Sequence, residues 1–424
     1  MSPSSKKAML VGIAGTTLQW YDFVLFGYFA PIIAATYFPE GNHIAALLNT
    51  FGVFAVGYLL APIGSIIFGY IGDKYGRKPA LTMSILGMAI PTALISIVPG
   101  YLSIGVLAPI LITLLRITQG FVASAEFTGS AIFLVEHASS KHKALYGCLT
   151  SVAYNFGSII AGLAASFFTA SFMPSWGWRI AFAITLIAGL LIFYLRTHVK
   201  ESPEYQAIEE YTKPKWPFLM AIQEVPFAII GVIGIAWLAG IVTFGTYVFT
   251  STYLHSYLHL SISHVTLMIT LALVFEALLE PLIAIISDKI GYVKIISIGL
   301  VGILLFSIPI FQLLSTAHFG LIMAGLIWMS ILIAFTYAPL NTYMVLLFPQ
   351  HYRYSGFGIA FNLGISLFGA TAPLVMVWLI NITDSLIAPA FYYMVGAIIG
   401  LFALTLCEKS RHTADESLEM VANV

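Results

Sequence analysis

The sequence predicts an all-α membrane protein of twelve transmembrane helices in two pseudo-symmetric six-helix halves. Three observations predict it. Of 424 residues, 60% are hydrophobic and only 8% charged, with a mean hydropathy of +0.96. That is more apolar surface than a water-soluble domain can cover, so lipid must be the solvent. Apolar runs long enough to cross about 30 Å of hydrocarbon recur along the whole chain. Finally, sixteen of the eighteen Lys and Arg fall at one side of the resulting topology.

The runs begin near residues 8, 44, 80, 105, 144 and 177, then near 222, 264, 295, 319, 355 and 388. The first carries Gln19 and Asp22 near its centre, so it is read as a retained helix and not a cleaved leader. An even number of spans puts both termini on one face. Only Arg116 and Arg179 lie away from the basic face, which the excess of Lys and Arg marks as cytoplasmic. This implies an integral protein of a bacterial inner (plasma) membrane with both termini inside. Cys148 and Cys407 fall near helix ends on that face, where packing thiols stay reduced. The spacing of His255, His259, His264 and His318 does not suit a metal site. No cofactor is implied, and a net charge of zero gives no reason to expect nucleic acid.

The polar stretch 196–220, with three prolines, separates the sixth and seventh runs. It divides the chain into a bundle over 1–195, a cytoplasmic linker over 196–220, a bundle over 221–408 and a short tail over 409–424. The halves echo each other. Asp73-Lys74-Tyr75-Gly76 is matched by Asp288-Lys289-Ile290-Gly291, and Asn155-x-Gly157 with Gly162 by Asn362-x-Gly364 with Gly369. Close helix packing accounts for single glycines; recurrence in register points to a duplicated unit with its site between the repeats. Asp73, Arg77 and Lys78, with Asp288, Lys289 and Lys294, therefore make a candidate gate of charge pairs and helix-end contacts.

Ionisable groups within a span cost roughly 2.5–3.5 kcal/mol on insertion scales and must turn to the protein interior. Asp22, Arg116, Glu126, Glu276 and Glu280 are such groups. Arg116 reads as the only base deep in the apolar zone, with Asp22 the natural partner of either Arg116 or Glu126. A guanidinium can grip a carboxylate with two parallel bonds, but Arg116 can equally hold two helices together. Asp22 and Glu126 are candidate proton carriers or fixed counter-ions. Glu276 and Glu280 sit one turn apart, where two carboxyls resist ionising together. They could carry a proton, meet a cationic group or edge a wet cavity. Trp20, Tyr21, Trp237, Tyr247, Trp328, Tyr337 and Tyr343 could line a cage for a quaternary ammonium, though aromatics are routine in membrane interiors. Gln119, Asn155 and Asn362 can bind solute or bridge helices.

The segment Gly69-Tyr-Ile-Gly-Asp73-Lys74-Tyr-Gly76-Arg77-Lys78 resembles the loop 2–3 signature of the major facilitator superfamily. Trp20-Tyr21-Asp22-Phe23, Arg116-Ile-Thr-Gln119-Gly120-Phe121, Glu126, Glu136 and Gly177-Trp178-Arg179-Ile180 resemble its metabolite:proton symporter branch. So do Glu201-Ser-Pro203 and Phe348-Pro349…Arg353-Tyr354-Ser355-Gly356. The chain departs from that branch at Gln19 and at Ser124-Ala125, and at Leu346 where an acid is usual. The resemblance implies the major facilitator fold and a proton-driven symporter of a small carboxylate-bearing solute. Four embedded acids to one base favour a zwitterion such as proline or a betaine over a di- or tricarboxylate. A gradient-independent facilitator and a membrane sensor that does not transport are the alternatives. An intramembrane enzyme has no nucleophile–base set to support it. Solute, proton and lipid are the implied partners; the sequence leaves the oligomeric state open.

Overall fold

A computed structural model describes residues 3–38, 52–53, 56–207 and 214–422, and the described residues form helices and connections with no strand. In chain order the principal helices are α1 Pro3–Tyr28, α2 Ala30–Tyr37, α3 Ala61–Lys74, α4 Arg77–Ile95, α5 Leu107–Glu136, α6 Lys143–Phe168 and α7 Trp178–Thr197. Next come the one-turn α8 Pro203–Gln206, α9 Pro217–Glu224, α10 Pro226–Thr243, α11 Ile262–Ile290, α12 Tyr292–Leu314 and α13 Phe319–Leu346. The chain closes with α14 Arg353–Gly364, α15 Ala372–Thr383 and α16 Pro389–Ala422. Eleven helices among the described residues are long and apolar enough to cross a membrane. Their starts follow the apolar runs closely. The run expected near 44 falls largely on residues outside those described, and α3 is the described helix of that region. The tail expected from 409 is a continuation of α16, which runs unbroken to Ala422.

Lipid-type exposure explains the outward faces. Ile187, Leu190 and Leu191 on α7, or Ile298, Val301 and Leu305 on α12, are all exposed although fully apolar. Inward faces carry small and polar residues instead, which lets helices approach and bond. In the first part of the chain α1 packs on α6, α4 on α7 and α5, and α3 on α5. In the second, α12 packs on α13, α10 on α16 and α14, and α11 on α13. Contacts between the two parts run through α3 with α14 and through α6 with α11 and α13.

Two helices depart from regular winding near their middles. α10 continues through a π-helical turn at Phe244–Phe249 and α14 through another at Ile365–Gly369. Such wide turns free a backbone carbonyl, and Thr250 Oγ1 donates to Gly245 O at 3.0 Å to answer one of them. The two helices touch where Gly240 meets Gly369: a Cβ on Gly369 would stand 2.7 Å from Gly240 Cα.

The repeated Asp-Lys-x-Gly turns have a backbone cause. Gly76 has φ +120° and Gly291 φ +110°, so both occupy a region closed to side chains. These glycines let one helix end and the next begin within two residues at Gly76 and one at Gly291. Around Gly291 nothing lies within 4 Å of an added Cβ, whereas at Gly76 that Cβ would strike the Glu201 carboxylate. Gly291→Ala is therefore expected to cost roughly 1–3 kcal/mol, from backbone strain alone. Gly76→Ala should cost more, read as the larger fall in melting temperature in detergent. Equal shifts would show that the Glu201 contact contributes nothing.

Candidate functional site

The basic face carries two reciprocal caps. Asp73, at the end of α3, accepts from the backbone N–H of Tyr354 at 2.9 Å and of Ser355 at 2.8 Å, in the first turn of α14. Asp288, near the end of α11, accepts from the N–H of Ala144 at 2.9 Å and of Leu145 at 3.2 Å, in the first turn of α6. A carboxylate at a helix start satisfies donors that have no partner in the helix and meets the positive end of its dipole. Each half of the sequence thus supplies the acid that caps a helix of the other.

Around the first cap lies an ionic network that is buried at Arg77, Asp73, Glu136 and Arg353 and reaches the surface at Glu204 and Lys143. Arg77 Nη1 donates to Asp73 at 3.0 Å and its Nη2 to Glu136 at 3.1 Å. Arg77 Nη2 also reaches Gln350 O at 2.7 Å. Arg353 Nη1 donates to Glu136 at 3.0 Å and to Glu204 at 2.5 Å. Ser202 Oγ donates to Glu136 at 2.5 Å, and Lys143 pairs with Glu204 at 2.9 Å. The α8 turn, begun by Ser202 capping the Tyr205 N–H, therefore ties both parts of the chain together. Burial alone would raise the Glu204 carboxyl, but Arg353 and Lys143 outweigh it and hold it below the ordinary value of 4.5. Its contribution is present above that value and fades as pH falls through the lowered one. Glu201 behaves oppositely: burial raises it despite N–H bonds from Ser202 and Lys78, so what it adds fades as pH rises through the raised value.

Of the predicted gate, Asp73, Arg77 and Asp288 occupy these caps. Lys78 turns along its own half, with Nζ on Thr197 O at 2.8 Å and its N–H on Glu201. Lys289 and Lys294 are exposed at helix ends. Glu136, Glu204 and Arg353 complete the network without having been placed in it from sequence. Their signal was a charge at a helix end on the same basic face.

In the interior, Asp22 on α1 and Arg116 on α5 are joined through two neutral groups. Thr92 Oγ1 on α4 lies 2.9 Å from Asp22 Oδ2 and also 2.9 Å from its own helix's Met88 O. Gln119 Nε2 donates to Thr92 Oγ1, and Arg116 Nη1 donates to Gln119 Oε1 at 2.9 Å. The Arg116 guanidinium lies over Phe26 at 4.0 Å and Phe23 at 5.2 Å. All four polar residues are buried.

Glu126 belongs to a different cluster. Arg196 on α7 grips both of its oxygens, one at 2.8 Å and the other closer, while Ser84 Oγ donates to it at 2.6 Å. This corrects one expectation: the partner of Glu126 is Arg196 and not Asp22, and Arg196 is a further base buried among the helices, at the end of α7. Arg196 stands in the last turn of α7, yet its side chain folds inward and is 2% exposed.

Glu276 on α11 meets Asn155 Nδ2 at 3.4 Å and accepts from Tyr247 Oη in the π turn after α10. Tyr247 neighbours Tyr154, whose ring stands edge-on to Trp20 at 4.3 Å. Glu280 is fully buried one turn on.

The other predicted residues lie elsewhere. Tyr21 Oη donates to Ala181 O at 2.9 Å and anchors α1 to α7. Trp237 stacks on Phe368 at 4.0 Å and bonds to Tyr392. Asn362 Nδ2 reaches Ser124 O at 3.2 Å and Gly358 O at 2.9 Å, bridging α14 to α5. Gln19 donates to Ala123 O at 3.1 Å, a bond an ionised glutamate could not make.

The caps can be checked with a native probe. Cys148 is fully buried beside the Asp288-capped start of α6, packed against Ile283 and Ala284 of α11. Asp288→Asn should accelerate its labelling by a maleimide on the basic face by roughly tenfold, the effect of losing one charge-assisted bond. Unchanged labelling would show that the cap does not hold α6 and α11 together.

The model of the Major Facilitator Superfamily matches residues 13–373 and 232–419. The glycine betaine/proline/ectoine/pipecolic acid transporter OusA of Dickeya dadantii is 32% identical over 413 residues, covering 93% of this chain and 82% of that protein. The proline/betaine transporter of Escherichia coli K12 is 31% identical over 419 residues, with the same two coverages. Among solved structures, the proton:xylose symporter XylE bound to 6-bromo-6-deoxy-D-glucose matches with a TM-score of 0.78 at 18% identity, over 96% of this chain and 95% of that one. The helices, the reciprocal caps and these likenesses agree: this chain is an integral membrane transporter and belongs to the major facilitator superfamily.

Proposed function

We propose that the chain is a proton-coupled symporter of a small carboxylate-bearing solute, a proline- or betaine-type zwitterion before a di- or tricarboxylate. In this reading two six-helix halves, 1–195 and 221–408, rock about a central site, with α3 belonging to the twelfth span. The linker 196–220 and the tail from 409 lie in the cytoplasm of a bacterium, as the positive-inside pattern favours.

The observation that carries the reading is the line Arg116–Gln119–Thr92–Asp22. Thr92 has one hydroxyl proton and two acceptors at equal distance. With Asp22 ionised, Thr92 donates to it. With Asp22 protonated, the acid donates to Thr92, which turns its own proton to Met88 O. Both states keep every bond of the line through Asp22 Oδ2, so the proton can come and go without breaking it. A solute carboxylate docking on Arg116 offsets the charge that favours ionised Asp22. Proton and solute then bind better together than apart, which is the thermodynamic condition for symport.

We assign Glu126 the counter-ion role, because Arg196 already neutralises it. That leaves Asp22, Glu276 and Glu280 as embedded acids beside the base Arg116, a balance that still suits a zwitterion better than a polyanion. Relatives named for proline and betaine transport support the same class. The Asp73 and Asp288 caps serve as the cytoplasmic latch, broken each time the inner side opens.

In proteoliposomes an imposed inward proton gradient should accelerate uptake of glycine betaine or proline; indifference to the gradient would favour the facilitator that Gln19 and Leu346 suggest. Asp22→Asn should abolish gradient-driven accumulation while counterflow exchange persists, and undiminished accumulation would remove Asp22 from coupling. Arg116→Lys, a point charge in place of a planar fork, should weaken carboxylate solutes by roughly tenfold or more. Unchanged affinity in equilibrium binding would make Arg116 a purely structural base.

A further inference from the structure

We infer that Glu276, with Asn155, Tyr247, Tyr154 and Trp20, forms the site for the positively charged nitrogen of the transported zwitterion. The inference rests on the preceding reading only in taking the solute to be zwitterionic.

Both Glu276 oxygens are engaged by neutral donors, Asn155 Nδ2 on one and Tyr247 Oη on the other. That arrangement orients an anion. Yet among the described residues no Lys, Arg or His lies within ion-pair distance of Glu276 or Glu280. A buried carboxylate left with no positive partner costs several kcal/mol, so the site gains most from a cation brought by a ligand. A second observation points the same way. Asn155 is fully buried and its Oδ1 has no hydrogen-bond partner, and the same is true of both oxygens of Glu280. Three buried acceptor atoms, one on Asn155 beside Glu276 and two on Glu280 one turn on, are thus unsatisfied by protein.

Ring geometry specifies the kind of cation. Trp20 of α1, Phe127 of α5, Tyr154 of α6, Tyr247 and Phe361 of α14 form a connected set. Trp20 meets Tyr154 at 4.3 Å and Phe127 at 6.4 Å, both edge-on; Tyr154 meets Tyr247 at 5.9 Å; Phe127 stacks on Phe361 at 5.2 Å. Two of these contacts cross between the first and second parts of the chain. Trp20, Phe127 and Tyr247 stay partly accessible despite standing on interior helices. Aromatic faces beside a carboxylate suit a methylated or secondary ammonium, which spreads its charge over C–H groups and carries little hydration to lose. A small, strongly hydrated inorganic ion would want a shell of oxygens instead. The Asn155 echo supports the assignment: Asn362, its counterpart, spends its Nδ2 on two backbone carbonyls, whereas Asn155 spends its own on the acid.

The test is equilibrium binding to the purified full chain by calorimetry, with three probes: glycine betaine, its uncharged-carbon isostere 3,3-dimethylbutyrate, and tetramethylammonium. Glu276→Gln should weaken betaine and tetramethylammonium by roughly tenfold to a hundredfold, the range for losing a charge-assisted contact, and leave dimethylbutyrate unmoved. If all three probes respond within twofold, or if wild-type protein binds neither cation, the nitrogen site is refuted. Competition with tetramethylammonium by millimolar sodium would also overturn it, in favour of an inorganic ion. If wild type binds tetramethylammonium with the expected loss in Glu276→Gln but binds no betaine, the zwitterion reading fails while this site stands. Should Glu276→Gln not elute as a single species, Glu276→Asp, which keeps the charge on a shorter arm, decides. A several-fold loss confined to the two cations supports the site, and equal movement of all three probes refutes it.

Discussion

A charge taken out of water must be matched within the protein, and the interior of this chain is organised around that requirement. Asp73 is matched by two backbone N–H groups and Arg77, Glu136 by Arg77 and Arg353, Glu126 by Arg196 and Asp288 by two more N–H groups. In most cases the partner lies on a different helix. The matching therefore fixes helix against helix in a medium where apolar contact alone gives little preference, because lipid tails are as apolar as leucine. It also gives reversible joints. A buried pair returns little net free energy once desolvation is counted, so an interface held by such pairs can open at modest cost, provided water reaches the charges as they part. An interface of interlocked leucines would have no comparable release.

The helices were legible in the sequence because lipid imposes a length, and a length is a one-dimensional property. The Asp-Lys-x-Gly turns were legible for a similar reason: only glycine accepts φ near +110° to +120°, so the backbone requirement is written in the residue. Partner choice was not legible. Arg196 looked like a helix-end base because its position along α7 is terminal; its inward course depends on α7 crossing α4 and α5 closely enough to bring Glu126, Ser84 and Leu81 O around it. Trp237 and Tyr21 looked eligible for a central site because composition records an aromatic without its direction. Neighbours on a helix differ by about 100° in bearing, which sends Trp20 towards Tyr154 and Tyr21 towards α7. The π turns left no trace in periodicity, yet one of them carries Tyr247.

The departures that set this chain apart from its branch also acquire physical content. At Gln19 an amide donates to the Ala123 carbonyl of α5. A carboxylate there would have to hold a proton to make the same bond. The substitution converts a proton-dependent helix contact into a permanent one, and it leaves Asp22, one turn further along α1, as the acid of that face with a relay to Arg116. On the proposed symport, coupling would then rest on the titratable group that remains.

Duplication explains the scaffold, and its imperfection explains the site. The two caps keep the same chemistry: each acid accepts two N–H bonds in the first turn of a helix from the other part of the chain. The two asparagines keep the same position but have diverged in what they meet. Asn362 bonds to carbonyls and is spent on packing, while Asn155 bonds to Glu276 and keeps an acceptor free. A transported solute has two unlike ends, and a perfectly repeated pocket would present each end with the same chemistry. In the first part of the chain Arg116 is joined to the acid Asp22, whereas among the described residues Glu276 and Glu280 of the second have no base within ion-pair distance, so the two parts differ in charge. On the proposed function, that difference would tell the two ends of a zwitterion apart.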